Sequence, residues 1–263
     1  MKNLKEKLVS GEVVHGCWIN LASTISAEIV GQAGFDWLLL DLEHGAGDVA
    51  IMYQQLQALS ASTSSPIVRI DQLSRPKAQR ILDAGASGIM FPQIQSVEQA
   101  REAIDMMYYP PRGTRGMAKM TRATGFGKFA NQYISNLPQT LLGVIQIETL
   151  KAVENIDAIA ATDGIDVLFV GPTDLSLSLG ILGQINHPQY QKVIRDIAAA
   201  AKKYGKAVGV LLQDVNEYEM YYQLGYRFLA CGADSMFVRK GAEEMVKRMG
   251  ELKNIEYLTK NTE

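Results

Sequence analysis

Cysteine and histidine are scarce in this chain. It has two of the first, Cys17 and Cys231, and three of the second among 263 residues. Two cysteines without a CxxC pair are too few for a disulfide framework. No apolar run reaches the ~18 residues of a membrane span. The opening segment MKNLKEKLVSGE also lacks the apolar stretch of a signal peptide. A cytoplasmic, reducing setting is therefore the expectation. An excess of one charge is missing too: 26 basic against 28 acidic residues, net −2. That balance gives no electrostatic case for a nucleic-acid or membrane partner. Linker-like, low-complexity and repeated segments are absent.

What is present is apolar. Hydrophobic residues make up 47% of the chain, enough for a full core in one large domain or two small ones. Eight short apolar, β-branched or aromatic runs stand out: 13–19, 36–41, 66–70, 88–92, 141–147, 166–171, 207–212 and 227–232. Most are too continuous for half-exposed antiparallel strands and suit parallel strands buried on both faces. Helical patterns separate them. Ser23 or Thr24 can cap a helix running to Gly34, Ser96 and Gln99 have capping-box spacing, and Asn186-His187-Pro188 opens a helix that ends at Gly205. A last helix over about 233–253 carries Met236, Met245, Val246, Met249 and Leu252.

Eight strand–helix alternations in this length predict a (β/α)8 TIM barrel, α/β in class, with residues 1–263 as a single domain. A doubly wound open sheet is the alternative, but no G-x-G-x-x-G follows the first strand. The widest gap, 93–140, holds one helix and then a Gly-, Arg- and Lys-rich stretch, YPPRGTRGMAKMTRATGFGKF. Its length predicts either a functional or a mobile loop.

Active sites of such barrels form just past the strand C-termini, and polar residues gather there. The second strand runs into DWLLLDLEHGAGD (36–48), so Asp41, Glu43 and His44 follow a dry segment at once. Arg69 ends the third strand, Gln146 and Glu148 the fifth, and Gly171-Pro172-Thr173-Asp174 the sixth; Gln213, Asp214 and Gly232 follow the last two. Glu148 and Asp174 come from neighbouring strands and can converge on one cation. Two hard oxygen ligands with open positions suit Mg²⁺ or Mn²⁺, whereas zinc lacks a second histidine or cysteine nearby. Each acid could instead cap a helix or pair with an arginine. Asp41 stands three positions before His44 and can orient its imidazole as a base. Arg69 is either a salt-bridge partner of the site acids or a clamp for an anionic oxygen. The helix entry at 171–174 offers free N–H groups to a carboxylate. His15, at the start of a strand, and His187, at the start of a helix, read as ordinary solvated side chains. No lysine ends a strand, which disfavours Schiff-base chemistry; Lys119 in the long loop is the only exception.

The ordered set GCW (16–18), AGFDWLLLDLEH (33–44), VR (68–69), LDAGASGIMFPQI (82–94), YPPRGTRG (109–116), IQIET (145–149) and VGPTDLS (170–176) resembles the HpcH/HpaI family of metal-dependent pyruvate aldolases over nearly the full length. The resemblance implies a barrel that makes or breaks a carbon–carbon bond next to pyruvate, turning a 4-hydroxy-2-oxoacid into pyruvate and an aldehyde. It implies a divalent ion on Glu148 and Asp174, with Mg²⁺ or Mn²⁺ favoured, Co²⁺ or Zn²⁺ admitted, and no organic cofactor. Arg69 would support the enolate oxygen, and His44 with Asp41 would move the hydroxyl proton. Gln146 and the backbone at Thr173 would hold pyruvate. Asp83 would reach a neighbouring subunit's site in a homo-hexamer whose last helix is exchanged between chains.

The chain departs from the family's pattern at Leu42, at Gly45-Ala46, at Thr173 and through the loop 117–129. These differences bear on the aldehyde partner. Arg112, Arg115, Lys119 and Arg122 either attract a second carboxylate or phosphate on it or form a solvated basic loop. Two other readings stay open: a citrate-lyase-like or malyl-CoA-lyase-like enzyme, against which Glu43-His44 argues, and a non-catalytic oxoacid-binding barrel.

Overall fold

The computed structural model describes residues 3–260; residues 1, 2 and 261–263 of the expected domain lie outside it. Each of the eight runs forms a strand: β1 (Val14–Ile19), β2 (Trp37–Asp41), β3 (Ser65–Arg69), β4 (Gly88–Phe91), β5 (Leu142–Ile147), β6 (Val167–Val170), β7 (Ala207–Leu212) and β8 (Phe228–Ala233). All pair in parallel with their sequence neighbours, and β8 pairs back on β1 to close the barrel. Helices cross between them, so the open doubly wound sheet is excluded. No helix among the described residues is long and apolar enough to cross a membrane.

Strand side chains alternate between two cores, because successive residues of a strand face opposite ways. Leu38, Leu40, Val68, Ile145 and Ile147 pack outward against the helices. Val14, Trp18, Trp37, Leu39, Ile67, Val144 and Phe169 fill the barrel. Trp37 stacks on Phe228 with centroids 3.9 Å apart, and Trp18 lies 5.5 Å from Phe169. A Cβ on Gly16 would stand 2.1 Å from the Trp37 ring, so only glycine leaves that ring its place. The inward parity of Trp37 and Leu39 continues to Asp41, that of Ile67 to Arg69, and that of Leu142 and Val144 to Gln146. The apolar filling therefore ends in a polar layer at the strand C-termini.

The helix Leu4–Val9 covers the opposite face, with Leu4 in the inner core and Lys5 paired to Asp166 at 2.9 Å. Ser23, Ser96 and His187 cap their helices. The first of these ends at Gly31 rather than Gly34. The expected reciprocal bond of the Ser96 box is displaced, since Gln99 Oε1 accepts from the N–H of Gln95. The long gap holds a second helix, Ala130–Thr140, which the sequence reading missed because Pro138 lies inside it. The last helix runs over Asp234–Lys260, further than the 253 expected.

Candidate active site

Asp41 and Arg69 are register partners across β2 and β3. Arg69 donates through Nε to Asp41 Oδ1 at 2.9 Å and through Nη2 to Oδ2 at 2.7 Å, and its Nη1 lies 2.9 Å from Glu43 Oε2. A guanidinium held by such a fork has little rotational freedom left. It is buried, with the Trp18 ring 5.9 Å below. Burial works against its charge, but Asp41, then Glu43 and Glu148, raise its pKa above the ordinary value.

Asp41 Oδ1 also accepts the backbone N–H groups of Glu43 and His44. A Cβ on Gly45 would meet the Asp41 carbonyl at 2.1 Å, so this tight turn requires glycine. The expected bond from the Asp41 carboxylate to the His44 imidazole is not formed. Asp41 is buried and committed to Arg69, while the His44 side chain is 71% exposed. The carboxylate nearest the imidazole is that of Glu43, with Oε2 4.0 Å from Nε2.

Glu148 follows β5 and is buried. Its Oε1 accepts the N–H of Gln93 at 2.7 Å and its Oε2 accepts from Gln146 Nε2. Gln93 adopts φ +54° to present that N–H, a left-handed conformation costly for a side-chain-bearing residue. A Cβ on Gly171 would stand 2.8 Å from Glu148 Oε2, so this glycine gives the carboxylate room. Burial pushes the Glu148 pKa up to about 7; the Gln93 bond and Arg69 oppose this, and Glu43 and Asp174 reinforce it. Glu43 is raised as well, by burial first, against the pull of Arg69 and His44.

Two adjoining cavities of about 330 Å³ each open here. Trp18, Arg69, Gln146, Phe169, Thr173 and Leu211 line the first, and Glu43, Gln93, Glu148, Thr149 and Ser178 the second; His44 and Asp174 border both. The structure thus brings Asp41, His44, Arg69, Gln146, Glu148, Thr173 and Asp174 together. Asp83 lies elsewhere. It ends the helix Arg75–Asp83 and pairs with the buried Arg115 at 2.7 Å, so within one chain it does not join them.

Four carboxylates here face one guanidinium and one histidine. The Gln146 Oε1 is buried without a hydrogen-bond partner. Such a donor set fits a divalent cation. Among the described residues no three acids, histidines or cysteines form a ready cage. Glu148 and Asp174 would hold the ion, leaving positions open to substrate and water.

Gln93 and Trp18 went unread as site residues in the sequence. Inward parity along β1 picks out Trp18; nothing local announces the backbone twist at Gln93. The basic loop divides: Arg112 and Lys119 are exposed, as the solvated reading expects, whereas Arg115 and Arg122 are tied into the fold. Arg115 is buried under Tyr109 and Tyr133, and Arg122 donates to Ala84 O, Leu56 O and Ser60 Oγ. Arg112 lies over Tyr108.

The sequence profile described as HpcH/HpaI aldolase/citrate lyase matches residues 15–241. The chain belongs to this family. It is 42% identical over 242 residues to a 5-keto-4-deoxy-D-glucarate aldolase of Escherichia fergusonii, covering 92% of this chain and 94% of that one. An HpcH/HpaI aldolase/citrate lyase family protein from Burkholderia cenocepacia J2315 superposes with a TM-score of 0.88 at 35% identity, over 94% and 98% of the two chains. A citrate lyase from Burkholderia xenovorans LB400 reaches 0.60 at 19% identity, over 85% of this chain and 74% of that one, a likeness of fold alone. Similarity to aldolases along nearly the whole of both chains makes this HpcH/HpaI member a carbon–carbon lyase of the aldolase type.

Proposed function

We propose that this aldolase cleaves, and in reverse forms, acidic 4-hydroxy-2-oxoacids of the 5-keto-4-deoxy-D-glucarate type. Pyruvate and an aldehyde that keeps the distal carboxylate are the products. The observation that carries the reading is Arg69, forked onto Asp41 beside Gln146, Glu148 and Asp174 at the floor of the two cavities.

Arg69 and the Gln146 amide hold the oxoacid end, and Thr173 at the rim of the first cavity faces its carboxylate. His44 takes the proton of the 4-hydroxyl. The bond between carbons 3 and 4 then breaks, its electron pair passes to the ketone oxygen as the enolate forms, and the aldehyde leaves. A proton returned to the enolate carbon completes pyruvate. Positioned general-base transfer contributes about 10²- to 10⁴-fold, and a fixed guanidinium at the developing oxyanion stabilises charge without reorganising. A divalent ion on Glu148 and Asp174, with Mg²⁺ or Mn²⁺ favoured by the oxygen-only donor set, supplies Lewis acidity at the pyruvate end.

The same reading takes residues 1–263 as one cytoplasmic domain in a homo-oligomer. Support comes from the last helix, where Val238, Met245, Val246, Met249 and Leu252 are exposed. A hexamer with that helix exchanged would cover them, and Asp83 would act on a neighbouring site. Light scattering on the purified protein checks the assembly.

The deciding experiment supplies 5-keto-4-deoxy-D-glucarate with Mg²⁺ and follows pyruvate through lactate dehydrogenase. Release of pyruvate is expected. Cleavage of acyl-CoA thioesters, with none of free 4-hydroxy-2-oxoacids, would overturn the reading.

A further inference from the structure

At the N-terminal end of the barrel one cavity carries more cations than the chain answers. It holds about 500 Å³, within the range of small-molecule sites, and lies between the helix Leu4–Val9 and the starts of β6, β7 and β8. Its cations are Lys5, Arg112, Lys202, Lys206 and Arg227, and its acids are Asp163 and Asp166. Asp166 is already engaged: Oδ1 lies 2.9 Å from Lys5 Nζ, and Oδ2 accepts the N–H of Gly143 at 2.8 Å. Lys5 also donates to the carbonyls of Pro138 and Leu141, so this pair is complete. Four cations remain, with only Asp163 to face them. Its side chain is 95% exposed and stands 3.6 Å from Arg112, where water screens it.

The half-buried pair has carbonyls only. Lys206 donates to Thr162 O at 3.1 Å, and Arg227 Nη1 donates to the carbonyls of Tyr222 and Tyr226. Burial pushes the Lys206 ammonium below its ordinary pKa, and Asp166 and Asp163 recover only part of that loss. Lys202, in the last turn of the helix Pro188–Lys203, has no ion-pair partner among the described residues. We infer that this cavity binds a phosphoryl dianion, free or carried on a small organic body, at the end of the barrel opposite the aldolase site. Two guanidinium and two ammonium groups from three separate segments surround one opening. A tetrahedral dianion with several acceptor oxygens answers more than one of them at once, which a single carboxylate does not. Leu8, Ile165, Ala198 and Leu224 supply apolar wall for an organic body.

The test is isothermal titration calorimetry on the intact protein at about 0.15 M salt, with inorganic phosphate, ribose 5-phosphate and ribose as probes. Saturable binding of both phosphorylated probes and none of ribose is expected. Tighter binding of ribose 5-phosphate assigns the site to a phosphomonoester, and equal binding assigns it to free phosphate. Lys206→Gln and Lys202→Glu should each weaken binding about 10-fold. Lys202 is exposed, so Lys202→Glu keeps the fold, and its pyruvate release should match that of the unmodified protein. Arg69→Ala, at the other end of the barrel, should leave phosphate binding intact. Absence of binding by either phosphorylated probe would overturn the inference. So would binding that is undiminished in both lysine variants, or that is lost in Arg69→Ala, which would put the anion in the active site.

Discussion

The two ends of the barrel use the same residue types in opposite states of completion. At the face where the helix Arg75–Asp83 ends, Arg115, Arg122 and Lys5 find acceptors inside the chain; of their buried nitrogens, only the Arg115 Nε is left without a partner. Arg115 has Asp83 and Tyr133, Arg122 has two carbonyls and a hydroxyl, and Lys5 has Asp166 with two carbonyls. At the strand C-termini, Asp41, Glu43, Glu148 and Asp174 share Arg69 and an exposed His44. Glu148, through burial first and the neighbouring Glu43 and Asp174 second, keeps its proton up to about pH 7. Completed networks hold a fold together; an acid-rich layer with one cation is built to receive another.

The largest effect is expected at the open end. Arg69→Ala should lower cleavage by about 10²- to 10³-fold, measured as pyruvate release at saturating metal, with the fold intact by circular dichroism. Next comes the closed end. Arg115→Met leaves Asp83 without its partner and should cost about 3 kcal/mol of stability, read by urea denaturation. A loss at Arg115 below that of an ordinary surface change would erase the contrast.

A smaller effect follows from pH. Folded Glu148 binds its proton more tightly than the unfolded chain does, with a midpoint of about 7 against an ordinary 4.5. The folded state therefore holds more protons across that window. Stability of the metal-free protein should fall as pH rises through it. Because a bound cation needs the carboxylate, Mg²⁺ should raise the melting temperature more above pH 7 than below it. Glu148→Gln should flatten both trends. The smallest effect is expected for Lys119→Ala on the exposed loop, within about 0.5 kcal/mol in stability and with no change in pyruvate release.

Much of this was legible in the chain. Strand runs are local, and their ends carry Asp41, Arg69, Gln146 and Glu148 on the inward parity, so both the barrel and the polar layer follow from periodicity. Which acid takes which cation does not, because Asp41 meets Arg69 through a register between strands 28 positions apart. That pairing displaced the expected Asp41–His44 bond. The left-handed Gln93 was equally hidden, since its turn is imposed by Glu148 from another strand. The loop arginines read as free because their acceptors, Asp83, Ala84 and Leu56, come from other helices.

The most direct measurement follows the methyl protons of pyruvate in D₂O by NMR, with protein stripped of metal and then resupplied with Mg²⁺ or Mn²⁺. It reports enolate formation without an aldehyde partner. Exchange that appears with the ion and disappears in Glu148→Gln is the expected result. Exchange indifferent to the ion, or absent with every divalent metal, would contradict the assignment of the acid-rich layer to a metal-assisted pyruvate enolate.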